Sequence, residues 1–156
     1  MKTSAPLTKT QYGLYVECVN HPGEFCYNAP CFYIFDGSLD EERLRRAVET
    51  MVAAHPTLFT RIELTDQGEP VQTIDDTETF SLQVEHIDDI EAAKKTMVQP
   101  FNIVGDRLFR IRLLRDKEHL IISRMSTIRF STEVHMASCW LISRKPTTVS
   151  RWNQSN

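Results

Sequence analysis

A chain of 156 residues holds one ordinary domain or one lobe of a larger one, and its 41% hydrophobic content is enough to bury a core. A net charge of -3 with both signs interspersed gives no basic footprint for nucleic acid, and no uninterrupted apolar stretch reaches membrane-spanning length. The N-terminal MKTSAPLTKTQ carries a lysine but no apolar run behind it, so it does not read as a secretory leader, and the cytoplasm is the expected compartment.

Thr8 is placed to cap a short helix running through Val19, with Tyr12, Leu14, Tyr15, Val16 and Cys18 on its apolar side. Asn20 to Gly23 end it. FCYNAPCFYIFDG then suits a strand through Phe35 that closes in a turn at Asp36-Gly37. Ser38 followed by Glu41 fits a capping box, and Leu44, Ala47, Val48, Met51 and Val52 fall at helical spacing before Pro56. Leu58, Thr60, Ile62 and Leu64 mark an extended segment, which Asp66-Gln67-Gly68 turns back into a hairpin with residues 71–74.

Leu82, Val84 and His86 suggest a further short strand. Asp88-Asp89 open a helix running to about Val98, with Ile90, Ala93, Met97 and Val98 on its buried side, and Pro100 stops it. Leu108, Ile111, Leu113 and Leu114, then residues 120–122, read as two strands joined by the charged turn at 115–118. Beyond Arg124 the grammar changes. MSTIRFSTEVHMASCWLISRKPTTVSRWNQSN loses hydrophobic periodicity, and Glu133 is its only acid. Residues 1–124 are therefore one body, and residues 125–156 are an aberrant tail expected to be unordered.

Three blocks, PLTKTQYGLYV, LDEERLRRAVETMVAAHPTLFTRIEL and PFNIVGDRLFRIRLLRDKEHLII, stand in an order and spacing that resembles the opening half of a condensation domain from a nonribosomal peptide synthetase. His55, Leu58, Thr60 and Arg61 fall in the matching places of that family's middle block, whereas Ala54 and Pro56 depart from it. The resemblance covers residues 6–122. It implies an α/β fold, the N-terminal lobe of a chloramphenicol-acetyltransferase-like domain, with a mixed sheet and packed helices. It also implies a parent activity of amide-bond formation between acyl and aminoacyl thioesters carried on the phosphopantetheine arms of carrier proteins. No cofactor is then bound by the chain directly, and peptidyl or acyl carrier proteins are the partners.

The family's signature is HHxxxDG, on the loop after the strand that EHLII begins; its second histidine stands at the reacting centre and its aspartate holds local structure. A histidine suits that place because its pKa lies near working pH. Here MSTIRFSTE occupies it. A shifted reading frame accounts for the replacement: codons taken from the last base of one residue's codon and the first two of the next let residues 124–133 spell DVHHTVFDG. The same shift across residues 141–150 permits DIKEAYYGE, which also resembles the stretch after the motif in that family. A divergent tail with no hidden frame is the alternative.

Other candidate chemistry is structural on its face. His55, at a helix end before a proline, suits capping near the last carbonyls. His119, His86 and His21 lack partners in sequence, and His135 belongs to the aberrant tail with Ser131 and Cys139. Asp75-Asp76 and Asp88-Asp89 read as turn and helix-start residues, and Arg110 and Arg112 as the solvated face of a strand. Cys18, Cys26, Cys31 and Cys139 form no CxxC pair, so zinc and disulfides are not expected. The reading assigns no catalytic, cofactor-binding or metal residue, and neither nucleic acid nor membrane as a partner. Self-association through an exposed lobe interface is expected. An ester-forming acyltransferase fragment, a noncatalytic carrier-binding module and a nonfunctional gene product remain the alternatives.

Overall fold

The computed structural model describes residues 1–24, 28–127 and 148–150. In chain order these form β1 (Lys2–Pro6), α1 (Lys9–Asn20), β2 (Asn28–Asp36), α2 (Glu41–Ala53), a 3-10 turn at Pro56–Phe59, β3 (Arg61–Leu64) and β4 (Pro70–Asp75). They continue with β5 (Val84–His86), α3 (Ile90–Met97), β6 (Phe109–Arg115), β7 (His119–Thr127) and β8 (Thr148–Ser150). One sheet has the order β5-β6-β7-β2-β8, with β5 and β6 parallel and the other pairs antiparallel; a smaller antiparallel sheet has the order β1-β4-β3. This is the mixed α/β architecture expected.

The apolar run at residues 120–122 of β7 follows from its central place, since a strand covered on both faces has no polar side to present there. Leu120 and Ile122 join Tyr33, Phe35 and Leu113 under Val48, Met51 and Val52 of α2. Ile121, one residue out of phase, joins Phe32 and Leu114 beside Met97 of α3. The two helices therefore cover opposite faces of one sheet. A third cluster, Ile62, Ile103 and Leu108 with Tyr15 and Cys18 packed against it, ties α1 to the smaller sheet. Among the described residues no helix is long and apolar enough to cross a membrane.

The caps show where local sequence decides and where it is overruled. At α1 the capping box forms as expected: Thr8 Oγ1 accepts from the Gln11 amide at 3.3 Å, and Gln11 Oε1 from the Thr8 amide at 2.9 Å. At α2 the cap is Asp40 in place of Ser38, its carboxylate accepting from the Arg43 amide at 3.0 Å. Ser38 is held in the preceding turn, where its amide donates to Asp36 Oδ1 at 2.8 Å. At α3 the cap is Asp89, accepting from the Glu91 amide at 2.8 Å.

Two other expectations are corrected. The extended segment begins only at Arg61, because Pro56 starts a 3-10 turn in which consecutive Leu58 and Phe59 are both buried. β1 was not anticipated; all five of its residues are exposed, so it carries no alternating pattern. At the other end, β7 continues three residues past Arg124 to Thr127, and residues 148–150 pair with β2 in the register Phe32↔Ser150. These six residues are strand where an unordered tail was expected. The rest of that tail, with Ser131, His135, Cys139 and the locally apolar run at 136–142, lies outside the described residues, as does Cys26.

Gly37 lies where the β2–α2 turn meets the β6–β7 turn, and its amide donates to Glu118 O at 2.9 Å. An added Cβ would stand 2.5 Å from that backbone oxygen. Gly37→Ala is therefore expected to destabilise by roughly 1–3 kcal/mol. Gly13, inside α1, has nothing within 4 Å of its virtual Cβ, and Gly13→Ala is expected to stabilise by roughly 0.5–1 kcal/mol. Thermal melts of the two variants should move in opposite directions.

Candidate functional site

Three segments meet at the C-terminal end of β7: the last turn of α1, the loop at 100–106, and Thr127 itself. They border a cavity of about 590 Å³, large enough for a small organic group. Cys18, Phe101, Ile103 and Val104 make part of its wall apolar, while Glu17 and Asp106 bring acid to it. Burial raises the Cys18 thiol above its ordinary value, and the charge of Glu17 adds to the rise. Cys18 accordingly stays a thiol near neutral pH and is a poor nucleophile.

The loop wall is held by arginines. Arg110 lays its guanidinium over the Phe101 ring, 4.3 Å from the centroid, and donates to the carbonyls of Gln99 at 3.0 Å and Pro100 at 3.1 Å. Asp106 Oδ2 accepts from the Asn102 amide at 3.0 Å and lies 3.7 Å from Arg110. Arg61 donates to Gly105 O at 2.7 Å, where the chain takes a positive φ of 91°. Its other end meets Glu78, which also accepts from Arg107 Nε at 2.7 Å, and Arg107 sits over Phe59, 5.2 Å from the centroid.

These arginines correct the sequence reading. Arg110 fastens the cavity loop, and Arg112 makes a two-pronged contact with Glu85, its Nε 2.9 Å from Oε1. Neither is simply a solvated charge. The partners lie 10, 11 and 27 residues away, beyond the reach of a periodicity argument.

The histidines stay apart. His55 Nδ1 lies 2.7 Å from the Met51 carbonyl, the helix-end role expected of it. His119 Nδ1 is 3.3 Å from Asp116 Oδ2 in the β6–β7 turn, and His86 is exposed at the end of β5. His21 borders the cavity, which the sequence did not foretell, and stands 3.6 Å from Glu24. Asp75 takes the Thr77 amide at 3.0 Å as a turn residue. Among the described residues no three of His, Cys, Asp or Glu converge as a metal set.

Burial alone would raise the Glu78 carboxyl, but hydrogen bonds from Arg107 and Arg61 outweigh it and hold the group below its ordinary value. The hydrogen bond from Arg112 likewise lowers Glu85. A carboxyl depressed in the folded state contributes stability that is fully present above its unfolded pKa and is lost as pH falls through the folded one. Melting temperature should therefore hold steady near neutrality and fall below about pH 4.5, the unfolded glutamate value. Glu78→Gln should flatten that acid limb. An unchanged limb would remove Glu78 from the account.

The Condensation domain family profile matches residues 1–125. Surfactin synthase subunit 2 of Bacillus subtilis (strain 168) is 31% identical over 129 residues, covering 79% of this chain and 4% of that protein. Bacitracin synthase 3 of Bacillus licheniformis is 30% identical over 126 residues, covering 78% and 2%. Among solved structures, the starter condensation domain of rhizomide synthetase RzmA aligns with a TM-score of 0.72 at 18% identity, over 89% of this chain and 36% of that one. The condensation domain from Monacolin K polyketide synthase MokA aligns with a TM-score of 0.70 at 16% identity, over 92% and 35%. The chain thus spans a small part of its curated relatives and about a third of the solved condensation domains. With matching sequence from residue 1 nearly to the end of β7, and the same fold over that stretch, this chain belongs to the condensation domain family.

Proposed function

We propose that this chain is the N-terminal lobe of an amide-forming condensation domain of a nonribosomal peptide synthetase, and that it does not turn over by itself. The observation that carries this is a coincidence of place. The family match stops at residue 125, β7 ends at Thr127, and the motif HHxxxDG, which should follow there, is missing from the sequence. In the intact parent, carrier proteins would deliver the acyl and aminoacyl thioesters on phosphopantetheine arms. The cavity beside Thr127 is this lobe's share of the reaction cleft.

The missing motif is explained by a change of reading frame near residue 124, supported by the shifted frame's DVHHTVFDG and, further on, DIKEAYYGE. Sequencing the nucleotides around the codons for residues 121–125 tests it. A frame that opens into HHxxxDG and runs on into a second lobe supports the proposal; stop codons in that frame overturn it.

This lobe should also associate with copies of itself. α1 leaves Tyr12, Val16 and Val19 exposed at spacings of four and three residues, an apolar stripe on one side of the helix. Sedimentation is expected to show oligomers whose weight rises with concentration. A compact monomer at every concentration would count against that association.

A further inference from the structure

We infer that the interior of this lobe is not built for the side chains at positions 124 and 127, so that β7 departs from what its fold accommodates inside the strand, beginning at Arg124. Among the described residues, two buried side-chain polar atoms have no hydrogen-bond partner, Arg124 Nε and Thr127 Oγ1. Both fall in the last four residues of β7. The arginines of the neighbouring strand are all engaged: Arg110 by Phe101 and two carbonyls, Arg112 by Glu85, and Arg115 by Gly37 O at 2.9 Å.

Arg124 is only 4% exposed. Its neighbours across the ladder are Cys31 on β2 and Ile111 on β6, and the alternation of β7 puts it on the face of Leu120 and Ile122, beneath α2. A guanidinium presents five N–H donors, and keeping its Nε buried without an acceptor among the described residues costs the desolvation of that donor. An apolar side chain would meet the same surroundings at no such cost. Thr127 lies on the opposite face, is 3% exposed, and borders the cavity with a hydroxyl that has no hydrogen-bond partner among the described residues. It is the position from which β7 presents a side chain to that cavity. Up to Ser123 the strand obeys the fold; the two misfits begin at the next residue.

This inference rests on burial and goes beyond the frame reading, so the two fail separately: nucleotide sequence decides the frame, and stability decides this. The full chain should be compared with Arg124→Met, Thr127→Val and, as a matched control on the adjacent strand, Arg112→Met. Arg124→Met is expected to raise the melting temperature by roughly 5 °C or more, and Thr127→Val by roughly 2 °C. Arg112→Met should lower it, since it breaks the contact with Glu85. If a variant lacks a single transition, its half-life under chymotrypsin, whose cleavage does not depend on arginine, should follow the same order. Arg124→Met melting or surviving no better than the parent chain, or Arg112→Met gaining as much, overturns the inference.

Discussion

Two loaded carrier proteins incubated with this chain are expected to yield dipeptide only at the uncatalysed rate, whereas the same gene with its frame restored from codon 124 should turn over. The proposed reaction needs a base at the end of β7, and the described strand closes on Ser126 and Thr127, while His21, Glu17 and Asp106 border the cavity from α1 and the loops instead. A positioned general base contributes roughly 10²–10⁴-fold to a rate. Replacing the second histidine of the restored motif by alanine should lose that factor, while carrier binding persists. Turnover by the present chain above background would defeat the proposal at its root.

How much of this could be read in advance depended on the range of each interaction. The α2 helix declared itself because five apolar residues fall within two turns and bury one face. The β3–β4 hairpin did so because Gly68, at a φ of 81°, makes a turn that few other residues allow. β6 and β7 were legible because both are apolar enough to be central. β1 was not, since its stability comes from pairing with β4, more than sixty residues away, and none of its own side chains is buried. The cavity was equally hidden. Its wall exists because Arg110 grips residues 99–101 and Arg61 grips Gly105, contacts between groups that share no local pattern. His55 and Arg61, marked by the family resemblance, prove to hold a helix end and a loop. Their roles are positional, and the resemblance found them without their geometry.

The largest stability effect is expected at Leu113. It lies mid-strand in β6, is 0% exposed, and pairs with Ile122 on one side and Val84 on the other. Its side chain belongs to the cluster in which Val52, Leu58 and Phe59 close over the sheet. Because β6 is fixed by ladders on both sides, the backbone has little freedom to collapse into the space that Leu113→Ala would leave. The cost should therefore lie toward the upper part of the range for such truncations, roughly 2–5 kcal/mol. Set against a total of about 5–15 kcal/mol for an ordinary domain, that is enough to leave much of this chain unfolded at 37 °C. Leu64, at the end of β3 and 48% exposed, supplies the contrast. Leu64→Ala should change stability by no more than about 0.5 kcal/mol. Urea unfolding followed by circular dichroism reads both, and equal losses at the two positions would mean that the core does not lie where β6, β7 and α2 place it.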